Sequence, residues 1–119
     1  MIQRLHHAQV TVLGEDEARS FYCDVLGLRE VEKPSSLLGR GGFWLQLGEC
    51  QVHVGTEDGV IREDTKAHLA YQVADIHWKK RLNEEGIPIL DSVPIVGFDR
   101  FEFRDPFGNR VEMIQPLDL

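Results

Sequence analysis

Four side chains of this sequence have the chemistry to bind a metal ion together: three imidazoles and one carboxylate. They are His7, His53, His68 and Glu112. Imidazole nitrogens and carboxylate oxygens are donors that first-row divalent metals accept. A single histidine on a strand is usually hydrogen-bonded or exposed to solvent, so a metal site is predicted only if the surrounding elements place these four residues in equivalent positions.

Alternation of apolar and polar residues predicts the strands that carry these residues. In "HAQVTV" the alanine and the two valines share one face, opposite His7. The segments "HLAYQV", "QVHV" and "RVEM" alternate in the same way about His68, His53 and Glu112. Successive side chains of a strand point to opposite faces of the sheet. Each of the four strands therefore has an apolar face for a helix to cover and a face that holds a candidate ligand.

Helices and turns are predicted between these strands. "EDEARSFYCDVLG" has apolar residues at helical spacing, acidic residues in its first turn and Gly27 at its end, and "ADIHWKKRLNEEG" ends at Gly86. Tight turns are predicted at residues 48–49 and in "DPFGN". The predicted strands cover residues 5–12, two segments within 41–55, then 68–73, 87–90, 100–104 and 109–115.

The order of elements repeats along the chain. His7 and His68, 61 residues apart, each open a strand that leads into a helix. Each half closes with a hairpin, and aligning the two hairpins sets "QVHV" against "RVEM", so that His53 matches Glu112. The sequence therefore predicts one domain, 1–119, built from two βαβββ modules of about residues 1–58 and 66–119.

Composition narrows the class of protein. The 119 residues are 42% apolar and 28% charged, as in ordinary globular domains. No apolar run reaches the ~20 residues of a membrane span, and the N-terminal residues lack the zones of a signal peptide. A net charge of -7 would repel nucleic acid and anionic membranes. Cys23 and Cys50 have no CxxC spacing, so reduced thiols and a cytoplasmic location are expected.

Several segments resemble the vicinal oxygen chelate superfamily, which includes glyoxalase I, fosfomycin-resistance thiol transferases, bleomycin-resistance proteins and extradiol dioxygenases. The segments are "HHAQVTV", "ARSFYCDVLGLRE", "HLAYQVADI" and "RDPFGNRVEMIQ", and the resemblance covers nearly the whole chain. It implies an α+β fold in which the two βαβββ modules form a curved mixed sheet around a concave site, with helices on the outer face. It also implies a divalent metal ion (Zn, Ni, Mn, Co or Fe) and a homodimer.

The resemblance also implies a ligand set. Family ligands come from the start of each module's first strand and from its last strand, which here are His7, His68, Glu112 and His53. Glyoxalase I commonly has a carboxylate at the position of His53. His53 is therefore expected to bind the metal, to act as a base beside the substrate, or to form a pocket wall. Glu112 and His53 are the expected catalytic residues, because an unligated one could move a proton.

Residues on the same faces are candidates for substrate binding. Alternation sets Trp44 and Gln46 opposite their apolar neighbours, and it does the same for Arg100 and Arg104. Trp44 would stack on the substrate, and the arginines would clamp an anionic group. The alternative is that Trp44 covers the core and the arginines are solvated or ion-paired. The segment "GRGGF" around Arg40 would form either the mouth of the pocket or a plain turn.

Two functions follow from these features. The first is a metal-dependent lyase, isomerase, thiol transferase or dioxygenase whose small substrate chelates the metal through adjacent oxygens or an oxyanion. The alternative is a metal-free small-molecule-binding protein of the bleomycin-resistance type, and a sensor domain that retains the ligands also stays open. The resemblance favours the enzyme, because binding-type relatives typically lack the ligands that His7, His68 and Glu112 would supply.

Overall fold

The computed structural model describes residues 1–75 and 77–118. The chain forms two compact units, Met1–Val60 and Ile61–Leu119. Ile76, inside the second predicted helix, and Leu119, at the end of the second predicted module, lie outside the described residues. Each unit has one four-stranded mixed sheet. The predicted α+β class with two repeated modules is confirmed.

The first unit has the sheet order β1-β4-β3-β2. Strand β1 runs parallel to β4, and the other neighbours are antiparallel. Its core consists of the apolar faces of these strands and the helix that covers them, with Val12, Leu45 and Ala18 fully buried. The strands are β1 His7–Val12, β2 Arg29–Val31, β3 Phe43–Leu47 and β4 Cys50–Thr56.

The second unit repeats this arrangement with the order β5-β8-β7-β6. Strand β5 runs parallel to β8, and the other neighbours are antiparallel. Phe101, Phe103 and Leu82 fill its core. The strands are β5 His68–Gln72, β6 Leu90–Asp91, β7 Phe98–Arg104 and β8 Arg110–Pro116.

The two parallel strand pairs share one register. His7 lies opposite Gln51 in the first unit, and His68 lies opposite Arg110 in the second. His53 and Glu112 each follow two residues later on the partner strand, which returns the side chain to the same face. Each unit therefore places its two candidate ligands on one face of adjacent parallel strands.

The first predicted helix forms at the expected place but changes type along its length. Helix α1, Glu15–Arg19, continues into a π-helical segment, Ser20–Val25. There the amide of Leu26 donates to the carbonyl of Phe21 at 3.0 Å, five residues back. The wider turn accompanies the burial of the consecutive residues Phe21 and Tyr22. Residue periodicity does not distinguish such a segment from an α-helix.

The second predicted helix is shorter than expected. Helix α2 covers Trp78–Glu84 and begins after Asp75, whose carboxylate accepts a hydrogen bond from the amide of His77 at 2.8 Å. None of the helices within residues 1–75 and 77–118 is long and apolar enough to cross a membrane.

Short elements account for the remaining differences. Strand β6 has two residues and starts three residues later than predicted. Strand β2 has three residues, of which two are exposed and charged. Its sequence therefore lacks the alternation of apolar and polar residues that predicts a strand. Two short 3-10 helices were also not predicted, at Ser35–Arg40 and Arg62–Asp64.

Candidate metal centre and ligand pocket

The second unit brings two of the predicted ligands together. Nε2 of His68 lies 3.4 Å from Oε1 of Glu112. Nδ1 of His68 lies 2.9 Å from the carbonyl oxygen of Lys66, which can only accept a hydrogen bond. The neutral ring therefore holds its proton on Nδ1. The lone pair of Nε2 then faces a carboxylate oxygen, which is an arrangement that attracts a cation.

Glu112 is 5% exposed and has an arginine as its present counter-charge. Nη1 of Arg100 donates to Oε1 of Glu112 at 3.1 Å, while Nε and Nη2 donate to the carbonyl of Val93 at 3.0 and 2.7 Å. Arg100 also lies 3.9 Å from Glu102, which accepts a hydrogen bond from Arg110. Arg100, named above as a candidate anion clamp, thus directs its donors to groups of its own unit.

Arg104, the second candidate clamp, belongs to the turn between β7 and β8. Its Nη1 donates to the carbonyl of Gly108 at 3.0 Å. Asp105 fixes the same turn, since its carboxylate accepts hydrogen bonds from the amides of Phe107 and Asn109 at 2.9 and 2.8 Å. The position of Arg104 is therefore explained by the turn alone.

In the first unit three rings stack across neighbouring strands. The rings of His7 and His53 lie 4.0 Å apart at an angle of 16°, and Trp44 lies 3.9 Å from His53 at 1°. Nδ1 of His6 lies 3.0 Å from Nδ1 of His7. The structure thus brings the predicted ligands His7 and His53 into contact and places Trp44 against the candidate catalytic imidazole.

A chain of hydrogen bonds fixes the tautomer of His53. Nε2 of Gln46 donates to the carbonyl of Gly48 at 2.8 Å, so its Oε1 is the acceptor for Nε2 of Gln51 at 2.9 Å. The remaining oxygen of Gln51 then accepts the Nε2 proton of His53 at 2.8 Å. Because this series of hydrogen bonds starts at a backbone carbonyl, the direction of each bond is determined. Nδ1 of His53 therefore holds the free lone pair.

His53 is neutral at physiological pH. Desolvation by burial is the largest cause that lowers its pKa to about 4, and positive charge on His7, His6 and Lys33 acts in the same direction. A neutral imidazole is the form that binds metal or accepts a proton. His53 therefore presents Nδ1 in the state that either role requires.

The donor chemistry of both pairs fits a first-row divalent metal. Imidazole nitrogens and a carboxylate oxygen are suitable ligands. An outer hydrogen-bond partner fixes the tautomer of His53 and of His68, as is usual for metal-binding histidines. Within either unit, as far as residues 1–75 and 77–118 are described, no three His, Cys, Asp or Glu side chains are grouped closely enough to hold the ion.

Sequence reasoning did not identify these outer partners. Gln51 and Lys66 each precede their histidine by two residues. The i−2 spacing is the signal that could have found Gln51, because it shares a strand face with His53. The carbonyl of Lys66 leaves no such signal, since every residue has one.

A pocket of about 320 Å³ opens beside His53 in the first unit. Strands β1, β3 and β4 contribute Gln9, Trp44 and His53, and the segment before β3 contributes Lys33 and Arg40. Gln46 is absent from this lining among the described residues, because its side chain belongs to the hydrogen-bond chain described above.

Comparisons with known proteins agree with this fold. A family model described as the Glyoxalase/Bleomycin resistance protein/Dioxygenase superfamily matches residues 4–113. The crystal structure of a glyoxalase family protein from Bacillus anthracis is 36% identical, with a TM-score of 0.89 over 98% of this chain and 97% of that one.

Two further proteins are similar at lower identity. A fosfomycin resistance protein, FosX, from Listeria monocytogenes, solved with Mn(II) and 1S,2S-dihydroxypropylphosphonic acid, shares the fold at 18% identity. Its TM-score is 0.77 over 95% of this chain and 90% of that one. MhqO of Bacillus subtilis (strain 168), whose name assigns it provisionally to the ring-cleaving dioxygenases, is 28% identical over 124 residues. That alignment covers 93% of this chain but 39% of MhqO, so the chain spans less than half of this relative's length.

Proposed function

Since the chain belongs to the Glyoxalase/Bleomycin resistance protein/Dioxygenase superfamily, we propose that it is a divalent-metal-dependent enzyme. Its small substrate would bind the metal through adjacent oxygens or an oxyanion. The observation that supports this proposal most directly is the approach of Nε2 of His68 to Oε1 of Glu112 at 3.4 Å. His7, His68 and Glu112 are the proposed ligands of a Zn, Ni, Mn, Co or Fe ion, and His53 is a fourth ligand or a base.

The proposed chemistry divides between the ion and the protein. A bound divalent ion would stabilise the negative charge that forms on a substrate oxygen. His53 would accept or return a proton at Nδ1, because Gln51 holds its Nε2 proton. Trp44 keeps the His53 ring in one plane by stacking on it. Lyase, isomerase, thiol transferase and dioxygenase reactions all fit this division, and the similarity to MhqO, which is named for ring cleavage, supports keeping the dioxygenase among them.

A second candidate function rests on the contact between Arg100 and Glu112. The guanidinium donates to Oε1 of Glu112 at 3.1 Å, which supplies this buried carboxylate with a counter-charge that is not a metal. A metal-free small-molecule-binding protein of the bleomycin-resistance type would need no other cation there.

Metal analysis separates the two candidates. The purified protein is reconstituted with each divalent ion, desalted and analysed by elemental mass spectrometry. We expect near-stoichiometric metal in the wild type and its loss in His68→Ala and Glu112→Gln, because each variant removes one proposed donor. His77→Ala is the matched control, since the His77 side chain is 90% exposed and pairs with Asp75.

The opposite result would favour the binding protein. If no ion is retained by the wild type after reconstitution, or if His68→Ala and Glu112→Gln retain it fully, the metal-dependent proposal is wrong. Ligand-binding screens would then replace assays with dicarbonyl, epoxide and catechol substrates.

The assembly and location of the chain complete the proposal. A homodimer is proposed from the habit of the small members of the family, with a small-molecule substrate as the other partner. A cytoplasmic location is proposed because Cys23 and Cys50 are both free thiols, which a reducing compartment preserves.

A further inference from the structure

The pocket beside His53 differs in charge from the rest of the chain. Lys33 and Arg40 line it, and among the described residues no aspartate or glutamate does. The chain as a whole has a net charge of -7. The carboxylate of Glu15 lies near Gly41 on one wall, but the lining itself has two cations and no carboxylate, an excess of positive charge that favours anionic molecules.

Both cations are available to a ligand. Nζ of Lys33 donates to the carbonyl of Gly41 at 2.6 Å, which anchors the ammonium group beside the pocket. Arg40, the residue before Gly41, is exposed. Within residues 1–75 and 77–118, neither side chain forms an ion pair with a carboxylate. An ammonium with two further donors and an unpaired guanidinium fork are the groups that bind oxyanions in proteins.

Neutral polar groups complete the lining. Thr56 supplies a hydroxyl and Gln9 an amide, and the Gln9 side chain lies across Gly55. A Cβ at Gly55 would lie 2.7 Å from Nε2 of Gln9, so the glycine is what allows the amide to lie there. The pocket thus combines two cations with neutral hydrogen-bonding groups, beside the rings of Trp44 and His53.

We infer that this pocket binds the anionic end of the substrate, a carboxylate, phosphate or phosphonate, through Lys33 and Arg40. The rest of the molecule lies toward Trp44 and His53. The inference rests on the proposed function, whose substrate class it narrows to small organic anions. The pocket cations take the anion-binding role expected of Arg100 and Arg104. The guanidinium groups of those two arginines already donate hydrogen bonds to Glu112, Val93 and Gly108.

Binding of model anions to chelator-treated, metal-free protein tests this inference. The probes are phenylphosphonate and benzoate, with benzyl alcohol as the uncharged comparison, followed by calorimetry and by amide and indole NMR shifts. We expect at least one anion to bind and to shift the signals of Trp44 and residues 33–42, and benzyl alcohol not to bind. Preference for phenylphosphonate would assign a tetrahedral dianion, and preference for benzoate would assign a carboxylate.

Variants identify the residues responsible. Lys33→Gln and Arg40→Gln should each weaken anion binding roughly tenfold, the usual effect of losing one charge-assisted hydrogen bond. Lys33→Arg should retain most of the affinity. Lys80→Gln is the control, since it removes an exposed positive charge, like that of Arg40, from helix α2. Because Arg40 is exposed, its substitution leaves the fold intact and keeps the test informative.

Some outcomes would overturn the inference. Neither anion binding, equal affinity in wild type and Arg40→Gln, or shifts confined to residues outside 33–42 and Trp44 would each do so. The metal proposal fails separately, because anion binding is measured without metal and metal retention is measured without an anion. Loss of metal in Glu112→Gln together with weaker anion binding in Arg40→Gln would support both.

Discussion

His53 and His68 each have a tautomer that is set by a residue two positions earlier. Gln51 accepts the Nε2 proton of His53, and the carbonyl of Lys66 accepts the Nδ1 proton of His68. The two rings consequently offer different nitrogens, Nδ1 and Nε2, as electron-pair donors. Substitution of either histidine removes a nitrogen donor. Substitution of Gln51 leaves the donor of His53 in place but removes the hydrogen bond that orients its ring.

A buried phenol provides a test at the scale of a single residue. Tyr71 is 9% exposed, and its hydroxyl has no hydrogen-bond partner within the described part of the chain. Tyr71→Phe removes this unpaired group, so we expect equal or greater stability at pH 7, by up to ~1 kcal/mol. Urea unfolding of the two proteins measures the difference.

The same residue gives a pH dependence of known sign. Burial, and then the negative charge of Asp105, raises the pKa of Tyr71 to about 12, above the value of about 10 in an unfolded chain. Compared with its value below pH 10, the free energy of unfolding therefore falls by roughly 2–3 kcal/mol as the pH rises through 12. Wild type should therefore lose stability more steeply than Tyr71→Phe above pH 10.

The second tyrosine of the chain supplies the control. In Tyr22→Phe, Tyr71 is the remaining phenol, so an absorbance titration reads its ionisation directly and should give a midpoint near 12. Identical alkaline unfolding of wild type and Tyr71→Phe, or a midpoint near 10, would contradict the assignment.

At the scale of secondary-structure elements, the backbone conformation of Gly42 determines how closely the start of β3 approaches β4. Gly42 has a φ of +79°, and a Cβ there would overlap the carbonyl oxygen of Val54 on the neighbouring strand β4. We expect Gly42→Ala to destabilise the protein by at least ~2 kcal/mol, because it combines a left-handed conformation with a backbone clash. Thermal and urea unfolding measure this effect.

Gly39 is the matched control for this substitution. A Cβ at Gly39 would meet nothing within 4 Å, and its φ is not positive. Gly39→Ala should change the free energy of unfolding by less than ~0.5 kcal/mol. Similar unfolding of the two variants would show that the approach of Gly42 to β4 does not limit stability.

Local patterns predict the long elements of this fold, place the short strand β6 three residues too early, and miss β2 and the two 3-10 helices. Alternation identified β1, β4, β5 and β8, because each has one apolar and one polar face over five or more residues. Strand β2 has no such contrast and forms because β3 offers it a partner.

Alternation also placed the candidate ligands on the polar faces, but it does not predict which side chains of other strands contact them. The contact of Arg100 with Glu112 joins residues of different strands, and their side-chain conformations decide it. The cationic pocket likewise depends on the path of residues 33–42, a segment without periodicity.

Charge and exposed apolar surface act at the scale of the whole molecule. The 20 acidic and 13 basic residues give a net negative charge, so that copies of the chain repel one another at long range. Large apolar side chains are nonetheless exposed, among them Leu13, Leu38, Val93 and Val96. A contiguous apolar patch is commonly covered by a protein partner, and the proposed homodimer would bury side chains of this kind.

Sedimentation equilibrium tests the assembly. We expect a solution mass twice that of one chain at micromolar concentration, with and without added metal, because burial of apolar side chains does not depend on the ion. A mass equal to one chain across the concentration series would contradict the homodimer. Added salt should not dissociate it, since apolar contacts are insensitive to charge screening.

The common register of the two parallel strand pairs bears on how this chain could diversify. Positions 53 and 112 occupy equivalent sites, so exchanging an imidazole for a carboxylate at either one alters donor chemistry without any insertion or deletion. A shift of the strand register by one residue would instead place the donor side chain on the apolar face of the sheet. The backbone of the repeated sheet thus stays the same whichever ligand occupies positions 53 and 112. His53→Glu alone would give the first unit the histidine–glutamate pair of the second.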